Sequence, residues 1–313
     1  MTVTIQDIHE ATKRIKPYIH RTPVLTNQSL NQKVGANVFM KCENFQKVGA
    51  FKFRGASNAV WSLTDEEAKL GVCTHSSGNH AQALALAAKM RGISAYIVMP
   101  NNAPQVKKDA VAGYGGQITF CEPTLEARES NLERIKNETG ANVVHPYNDE
   151  RVIAGQGTAT LELLEEIPNL DVIIAPVGGG GLISGTSIAA TETKRGIRVI
   201  AAEPEMADDA FRSIQVGKII PSENPNTIAD GLLTSLGTLT FPIIQERVEQ
   251  VVTVSESAMI ESMKFIWERA KIIIEPSSAT VIAVLCEKKI DLSGLNVGVI
   301  LSGGNVDLGK LYW

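Results

Sequence analysis

Short apolar runs alternate with helix-forming stretches along most of this chain, and that alternation restricts the fold more than any other feature. Strand-like runs occur at 36–41, 72–75, 95–99, 118–121, 143–145, 172–175, 198–202 and 297–301. Between them lie helical stretches at 55–63, 79–91, 125–139 and 182–194. Parallel strands need long crossovers, and a helix between two strands supplies one. The reading is therefore an α/β protein built on two open, twisted, mostly parallel sheets. The segment 65–147 is expected to form a small domain. The flanking segments 1–64 and 148–313 are expected to form a large one. The 217–230 stretch is the most irregular and reads as a surface loop.

Composition removes several function classes. The 313 residues carry a net charge of -4 and no strongly basic run, which argues against a nucleic-acid partner. No apolar run approaches the roughly 18–20 residues that cross a bilayer. The first twenty residues have no signal-peptide core. Cys42, Cys73, Cys121 and Cys286 are scattered and form no CxxC pair, so neither a zinc site nor a disulfide framework is indicated. A reducing, cytoplasmic setting is the expectation. Aromatic residues make up only 5%, while glycine and alanine are common, which favours helices packed closely on a sheet.

Five segments carry chemistry. In Gly49-Ala50-Phe51-Lys52-Phe53-Arg54-Gly55, a lysine lies between two aromatic residues in a loop leading into a helix. Apolar surroundings desolvate an amine, lower its pKa and make it a nucleophile. Such a lysine can equally lay its stem on the surface. Ser76-Ser77-Gly78-Asn79-His80 opens a helix after a strand, where free N–H groups and hydroxyls attract a carboxylate. The same residues suit an ordinary helix cap. Gly178-Gly179-Gly180-Gly181-Leu182 also links a strand to a helix and can cradle a phosphate. A dinucleotide fingerprint fails there: its third glycine would fall at Ile183 or Ser184. Ser302-Gly303-Gly304-Asn305 follows the last strand, at a sheet edge where ligands bind. Glu203 to Asp209 is an acidic loop whose carboxylates suit a hard cation, or simply water.

An activated lysine, a phosphate cup, a carboxylate site and a neutral partner for a ring nitrogen are the needs of pyridoxal 5'-phosphate. With these motifs in view, the chain resembles the serine racemase and serine/threonine dehydratase branch of the tryptophan-synthase-β-like, fold-type II pyridoxal phosphate enzymes. The similarity extends over essentially all of the sequence. It implies that Lys52 is the Schiff-base lysine, with Phe51 beside the ring and Asn79 on the phenolic oxygen. Gly178, Gly179, Gly180, Gly181 and Leu182 correspond to the phosphate cup, and Ser302 to the ring-nitrogen partner. Ser76, Ser77, Asn79 and His80 correspond to the substrate-carboxylate loop, and Arg128 and Thr234 to the pocket lining. The resemblance makes Lys52 and Ser77 the two acid/base groups of a racemase. It also implies a Mg2+ (or Ca2+/Mn2+) site at Glu203, the Ala207 carbonyl and Asp209, small amino-acid substrates such as serine and threonine, and a homodimer.

The resemblance further implies an ATP effector site, to which Gln82, Lys107, Tyr114 and Asn305 correspond. Asn27 and Gln28 stand where that site usually has serines, which weighs against nucleotide control. Tyr147 replaces a polar amide found in some racemases, and Ser278 replaces a more usual glycine. The chain ends soon after Asn305, so isoleucine feedback through a regulatory domain is not expected. The leading expectation is a serine racemase with serine/threonine dehydratase activity. The alternatives are a 3-hydroxyaspartate dehydratase, a catabolic threonine dehydratase, an amino-acid-binding module without catalysis, and a nicotinamide-linked oxidoreductase, the last disfavoured by the glycine spacing.

Overall fold

The computed structural model describes residues 3–103 and 105–313. Its strands, in chain order, are β1 (Val24–Leu25), β2 (Asn37–Cys42), β3 (Val72–His75), β4 (Ala95–Pro100), β5 (Gln117–Cys121), β6 (Asn142–Val143), β7 (Val172–Pro176), β8 (Arg198–Pro204), β9 (Gln250–Val254) and β10 (Asn296–Leu301). They form a six-stranded sheet of order β1-β2-β10-β7-β8-β9 and a four-stranded sheet of order β5-β4-β3-β6. Every pairing is parallel except the short β1–β2 edge. The expected α/β class and pair of sheets are thus observed. β7 is buried at every position, as a parallel strand covered on both faces must be. The five segments singled out in the sequence follow β2, β3, β7, β8 and β10, so all of them gather at the carboxyl ends of parallel strands.

Three details differ from the sequence reading. The helix after β2 begins at Lys52 and runs to Trp61, so the lysine opens the helix and does not precede it in a loop. β6 stops at Val143: the Val144 N–H still donates to Cys73 of β3, but the Val144 carbonyl meets His80. β1, β9 and several helices, among them Ile5–Ile15, Glu256–Ala270 and Pro276–Glu287, were not anticipated, and the longest of these helices is Glu150–Glu166. That helix is almost entirely buried, so it lacks the one-sided apolar stripe that marks a surface helix.

The Glu150–Glu166 helix sets the spacing of the active half. It meets the Lys52–Trp61 helix where Gly155 faces Gly55: a Cβ added to Gly155 would lie 2.6 Å from the Gly55 Cα. On its other side it meets the helix Gly181–Thr193 where Gly185 faces Gly157. A Cβ on Gly185 would lie 2.5 Å from the Ile153 carbonyl oxygen and 2.6 Å from the Gly157 nitrogen. These backbones approach at glycine because no side chain fits between them.

Beneath the lysine helix lies a fully buried set of two cations and two anions. Arg54 donates from Nε to Glu43 Oε2 at 2.7 Å and from Nη1 to Glu162 Oε1 at 2.8 Å. Lys41 Nζ donates to Glu162 Oε2 and to the Thr22 carbonyl, each at 2.7 Å. Desolvation works against both charges of Lys41 and Arg54, and the paired carboxylates oppose it. With every partner present the cluster is neutral. Removing one member would strand a charge in the interior.

The glycine contacts lead to a prediction whose sign is informative. Gly→Ala inside a helix ordinarily stabilises by up to about 1 kcal/mol. At Gly185 the clash falls on backbone atoms, and overpacking of this kind costs about 1–3 kcal/mol. Gly185→Ala should therefore lower stability in urea unfolding. A net gain would mean that the two helices can separate without cost.

Candidate active site

Lys52 is the centre of the site. Its Nζ donates to the Pro146 carbonyl at 2.8 Å and lies 5.1 Å from the centre of the Phe51 ring. The residue is half-buried. Its amine end is desolvated enough to bring the pKa down to about 8, against the opposing charge of Glu275. The Phe51 N–H donates to the Ser302 carbonyl at 2.9 Å, and Ala50 bridges Gly303. The lysine is therefore tied directly to the loop after β10. Ser302 is 2% exposed, a buried hydroxyl where a neutral ring-nitrogen partner is expected.

The glycine loop after β7 has the carbonyls of Gly179 and Gly180 occupied. Gly179 O accepts from Thr240 Oγ1 at 2.7 Å, and Gly180 O accepts from the Ser184 N–H. Among the described residues no acceptor takes the N–H groups of Gly178, Gly179 or Gly180. Gly181 and Leu182 open a helix, whose first turn leaves its own N–H groups unpaired. Gly180, at φ 93°, adopts the left-handed conformation that turns the loop into that helix. This is an anion cup. Tyr147 packs its ring directly on Gly179, and Thr234 lies close enough to act on the Tyr147 hydroxyl, whose pKa burial raises.

The Ser76–His80 loop does not cap its helix. The N-cap position belongs to Gly78, which has no side chain to offer. Ser76 Oγ accepts from the Gly78 N–H at 3.4 Å, and among the described residues the Ser77 hydroxyl has no hydrogen-bond partner. Asn79 opens the helix, with its amide bonded to Glu275 and Asn305. His80 is 2% exposed; Nε2 contacts the Val144 carbonyl at 3.1 Å, and Nδ1 has no partner. Burial holds His80 down at about 3 and His145 at about 4, so both are neutral near the lysine. Arg128 lies on the helix Leu125–Thr139. Its Nε is buried without a partner, and its charge helps to hold His75 below the usual histidine range, after burial itself.

The acidic loop is not solvated. Glu203 and Asp209 are each 1% exposed. Glu203 accepts from the N–H groups of Ala210 and Phe211, both at 2.8 Å. Asp209 keeps both carboxylate oxygens buried without a hydrogen-bond partner. Burial pushes Glu203 up to about 9 and Asp209 up to about 6. The neighbouring Arg212 pairs with Asp208 instead. Two buried carboxylates beside the Ala207 loop have the donor chemistry of a hard cation site. Among the described residues no group of three acidic, histidine or cysteine side chains gathers, so the carbonyl and water would complete the shell.

The residues linked to an effector site are brought less closely together. Lys107 is paired with Asp230, Gln82 is buried, and Tyr114 packs against the apolar cluster of the smaller sheet. Asn305 bonds the Val48 carbonyl and Asn79. Asn27 Oδ1 caps its own helix by accepting from the Leu30 N–H. Ser278 is fully buried with an unpartnered hydroxyl, and nothing in the structure explains its preference over glycine. Sequence reading did not assign the Pro146 carbonyl, Asp230 or Glu275. Only Glu275 left a signal: a single charged residue inside an otherwise uncharged run, 272–286.

Comparison with known proteins agrees with this geometry. A family model described as pyridoxal-phosphate dependent enzyme matches residues 15–303. A serine racemase of Dictyostelium discoideum is 53% identical over 315 residues, covering 99% of this chain and 97% of its own. A beta-hydroxyaspartate dehydratase of Paracoccus denitrificans is 51% identical, covering 99% of this chain and 98% of its own. The solved structure of maize serine racemase superposes with a TM-score of 0.97 at 48% identity, over 100% of this chain and 96% of that one. A desolvated lysine bonded to Pro146, whose neighbour Tyr147 packs on the glycine loop, together with a family match over most of the chain and a shared fold, has one reading: the chain belongs to the pyridoxal-phosphate dependent enzymes, with the fold-type II architecture.

Proposed function

We propose that this protein is a serine racemase that also dehydrates serine and threonine to 2-oxo acids and ammonia. The observation that carries the reading is the Lys52 amine, lowered to about 8 beside an anion cup and a carboxylate-accepting helix start. When bound, pyridoxal phosphate withdraws electrons from the substrate amino acid and so acidifies its Cα–H. The site residues have distinct tasks. The N–H groups of Gly178 to Leu182 hold the phosphate, Ser302 meets the ring nitrogen, Asn79 the phenolic oxygen, and Phe51 flanks the ring. Ser76, Ser77, Asn79 and His80 hold the substrate carboxylate, with Arg128 and Thr234 at the pocket wall.

Near neutral pH a lysine at about 8 has an appreciable neutral fraction, so Nζ can take the Cα proton on its own face. Inversion needs a proton delivered to the opposite face, and Ser77 Oγ is assigned that task. Dehydration needs no second carrier, because the proton that Lys52 takes from Cα can pass to the departing β-hydroxyl, which leaves as water. The segment 65–147 acts as the small domain that closes over substrate, and 1–64 with 148–313 as the large one. Glu203, the Ala207 carbonyl and Asp209 hold Mg2+, Ca2+ or Mn2+. The protein works as a cytoplasmic homodimer. ATP control through Gln82, Lys107, Tyr114 and Asn305 would have to displace the partners that Lys107 and Asn305 have within the chain. No helix among the described residues is long and apolar enough to cross a membrane.

One observation favours a second reading, dehydration of 3-hydroxyaspartate. The unpartnered Arg128 Nε is a buried cationic donor that a second substrate carboxylate would satisfy.

Chiral product analysis separates these outcomes. With L-serine, D-serine and pyruvate should both appear, while Ser77→Ala should lose racemisation at least about tenfold more than dehydration. Equal losses would remove Ser77 as the second proton carrier. Turnover confined to 3-hydroxyaspartate would replace serine as substrate. A second prediction concerns the cation. Exhaustive chelation should lower Tm by about 5 °C or more, and added Mg2+ should restore it. An unchanged Tm in protein verified to be metal-free would leave Asp209 without a cation.

A further inference from the structure

We propose that Glu275 is a positioning residue of the cofactor pocket: its carboxylate fixes the side-chain amide of Asn79, and through that amide the ring of pyridoxal phosphate. The inference rests on the cofactor assignment made above.

Glu275 occupies the N-cap position of the helix Pro276–Glu287, where an acidic side chain would ordinarily serve the first-turn N–H groups. It makes no such bond. The carboxylate turns inward, only 3% exposed, and its partners are all uncharged. Asn79 Nδ2 donates to Oε1 at 3.0 Å and to Oε2 at 3.2 Å, and the Asn305 N–H donates to Oε2 at 3.1 Å. A carboxylate buried without an ion pair is costly to keep. Capping the helix does not account for it.

The loop after β10 is shaped around this carboxylate. Gly303 does not have a left-handed backbone, so conformational freedom is not the reason for glycine there. A Cβ at Gly303 would lie 2.7 Å from Glu275 Oε1, so the reason is room for the carboxylate. The Glu275 N–H also donates to the Gly303 carbonyl at 3.0 Å.

The hydrogen-bond roles then define how Asn79 is held. Burial raises the Glu275 carboxyl to about 7, and in its ionised form both oxygens accept from the amide nitrogen of Asn79. Asn305 Nδ2 donates to the Val48 carbonyl at 2.8 Å and to Asn79 Oδ1 at 2.9 Å. Both ends of the Asn79 amide are thereby oriented. Nδ2 bonds both Glu275 oxygens and Oδ1 accepts from Asn305, which together fix the plane of the amide assigned to the cofactor's phenolic oxygen. Val48, a β-branched residue at φ 55°, sits in the left-handed region four residues before Lys52. The same network therefore reaches the strained approach to the lysine. The Glu275 charge also acts on Lys52 directly, opposing the desolvation of its amine.

A double-mutant cycle tests the proposal, read by titration with pyridoxal phosphate and by the visible absorption band of the loaded protein. Glu275→Ala and Asn79→Ala should each weaken cofactor binding about tenfold, the worth of one buried hydrogen bond. The double variant should be no weaker than Asn79→Ala alone, and both single variants should shift the band in the same direction. Glu275→Gln keeps the side-chain volume but can present a donor to Asn79. It should weaken binding by about threefold, and it keeps the test readable if the alanine variant fails to fold. Two results would overturn the proposal: full additivity of the two losses, or a Glu275→Gln protein with unchanged affinity and band. An Asn79→Ala protein that binds normally through Lys52 would remove the Asn79 role, and this proposal with it. A wild-type protein that takes up no cofactor would instead remove the wider assignment.

Discussion

The glycine-to-glycine contacts on either side of the Glu150–Glu166 helix are the constraint on which the site depends. They bring three backbones closer than any side chain would permit. Lys52 opens one outer helix, and Gly181 opens the other. The separation of the amine from the anion cup is therefore set by backbone packing and not by flexible side chains. Protein interiors resist small changes in volume, so this spacing is stiff. A nucleophile and an anion cup held by rigid elements are preorganised for one ligand of fixed length.

The electrostatic design has two parts of opposite character. Under the lysine helix, Lys41, Glu43, Arg54 and Glu162 satisfy one another in a closed, neutral network. Around the ligand cleft the accounts are left open. Lys52 donates to a neutral carbonyl, Glu275 accepts from neutral amides, Asp209 has no partner, and Arg128 Nε has none. Buried polar groups are normally paired, so the unpartnered Asp209 carboxylate and Arg128 Nε are places where a bound group would complete the structure. The closed network makes this tolerable, because it anchors Arg54 only two residues from Lys52.

Much of the architecture was legible because strands buried on both faces read as apolar runs. β7 and β10 are examples, and the motifs at their ends followed directly. The Glu150–Glu166 helix was not legible, since a helix buried all round loses its amphipathic period. The start of the lysine helix was misplaced by three residues, because Phe51, Lys52 and Phe53 carry no capping signal. Ser76 and Ser77 looked like caps, yet Gly78 takes that position and leaves the hydroxyls available. The acidic loop read equally well as solvent-facing. Only the fold reveals that Glu203 and Asp209 point inward while Glu205 and Asp208 take the surface cations Lys289 and Arg212. Glu275 was passed over because its role depends on Asn79, distant in sequence, and pairwise contacts of that kind leave no local period.

The central claim is that the amine of Lys52 carries the cofactor. Its most direct test is borohydride reduction of the protein loaded with pyridoxal phosphate, followed by mass analysis of the peptides. The account predicts one pyridoxyl group per chain, on the peptide containing Lys52. A pyridoxyl group on another lysine, or on none, would contradict it.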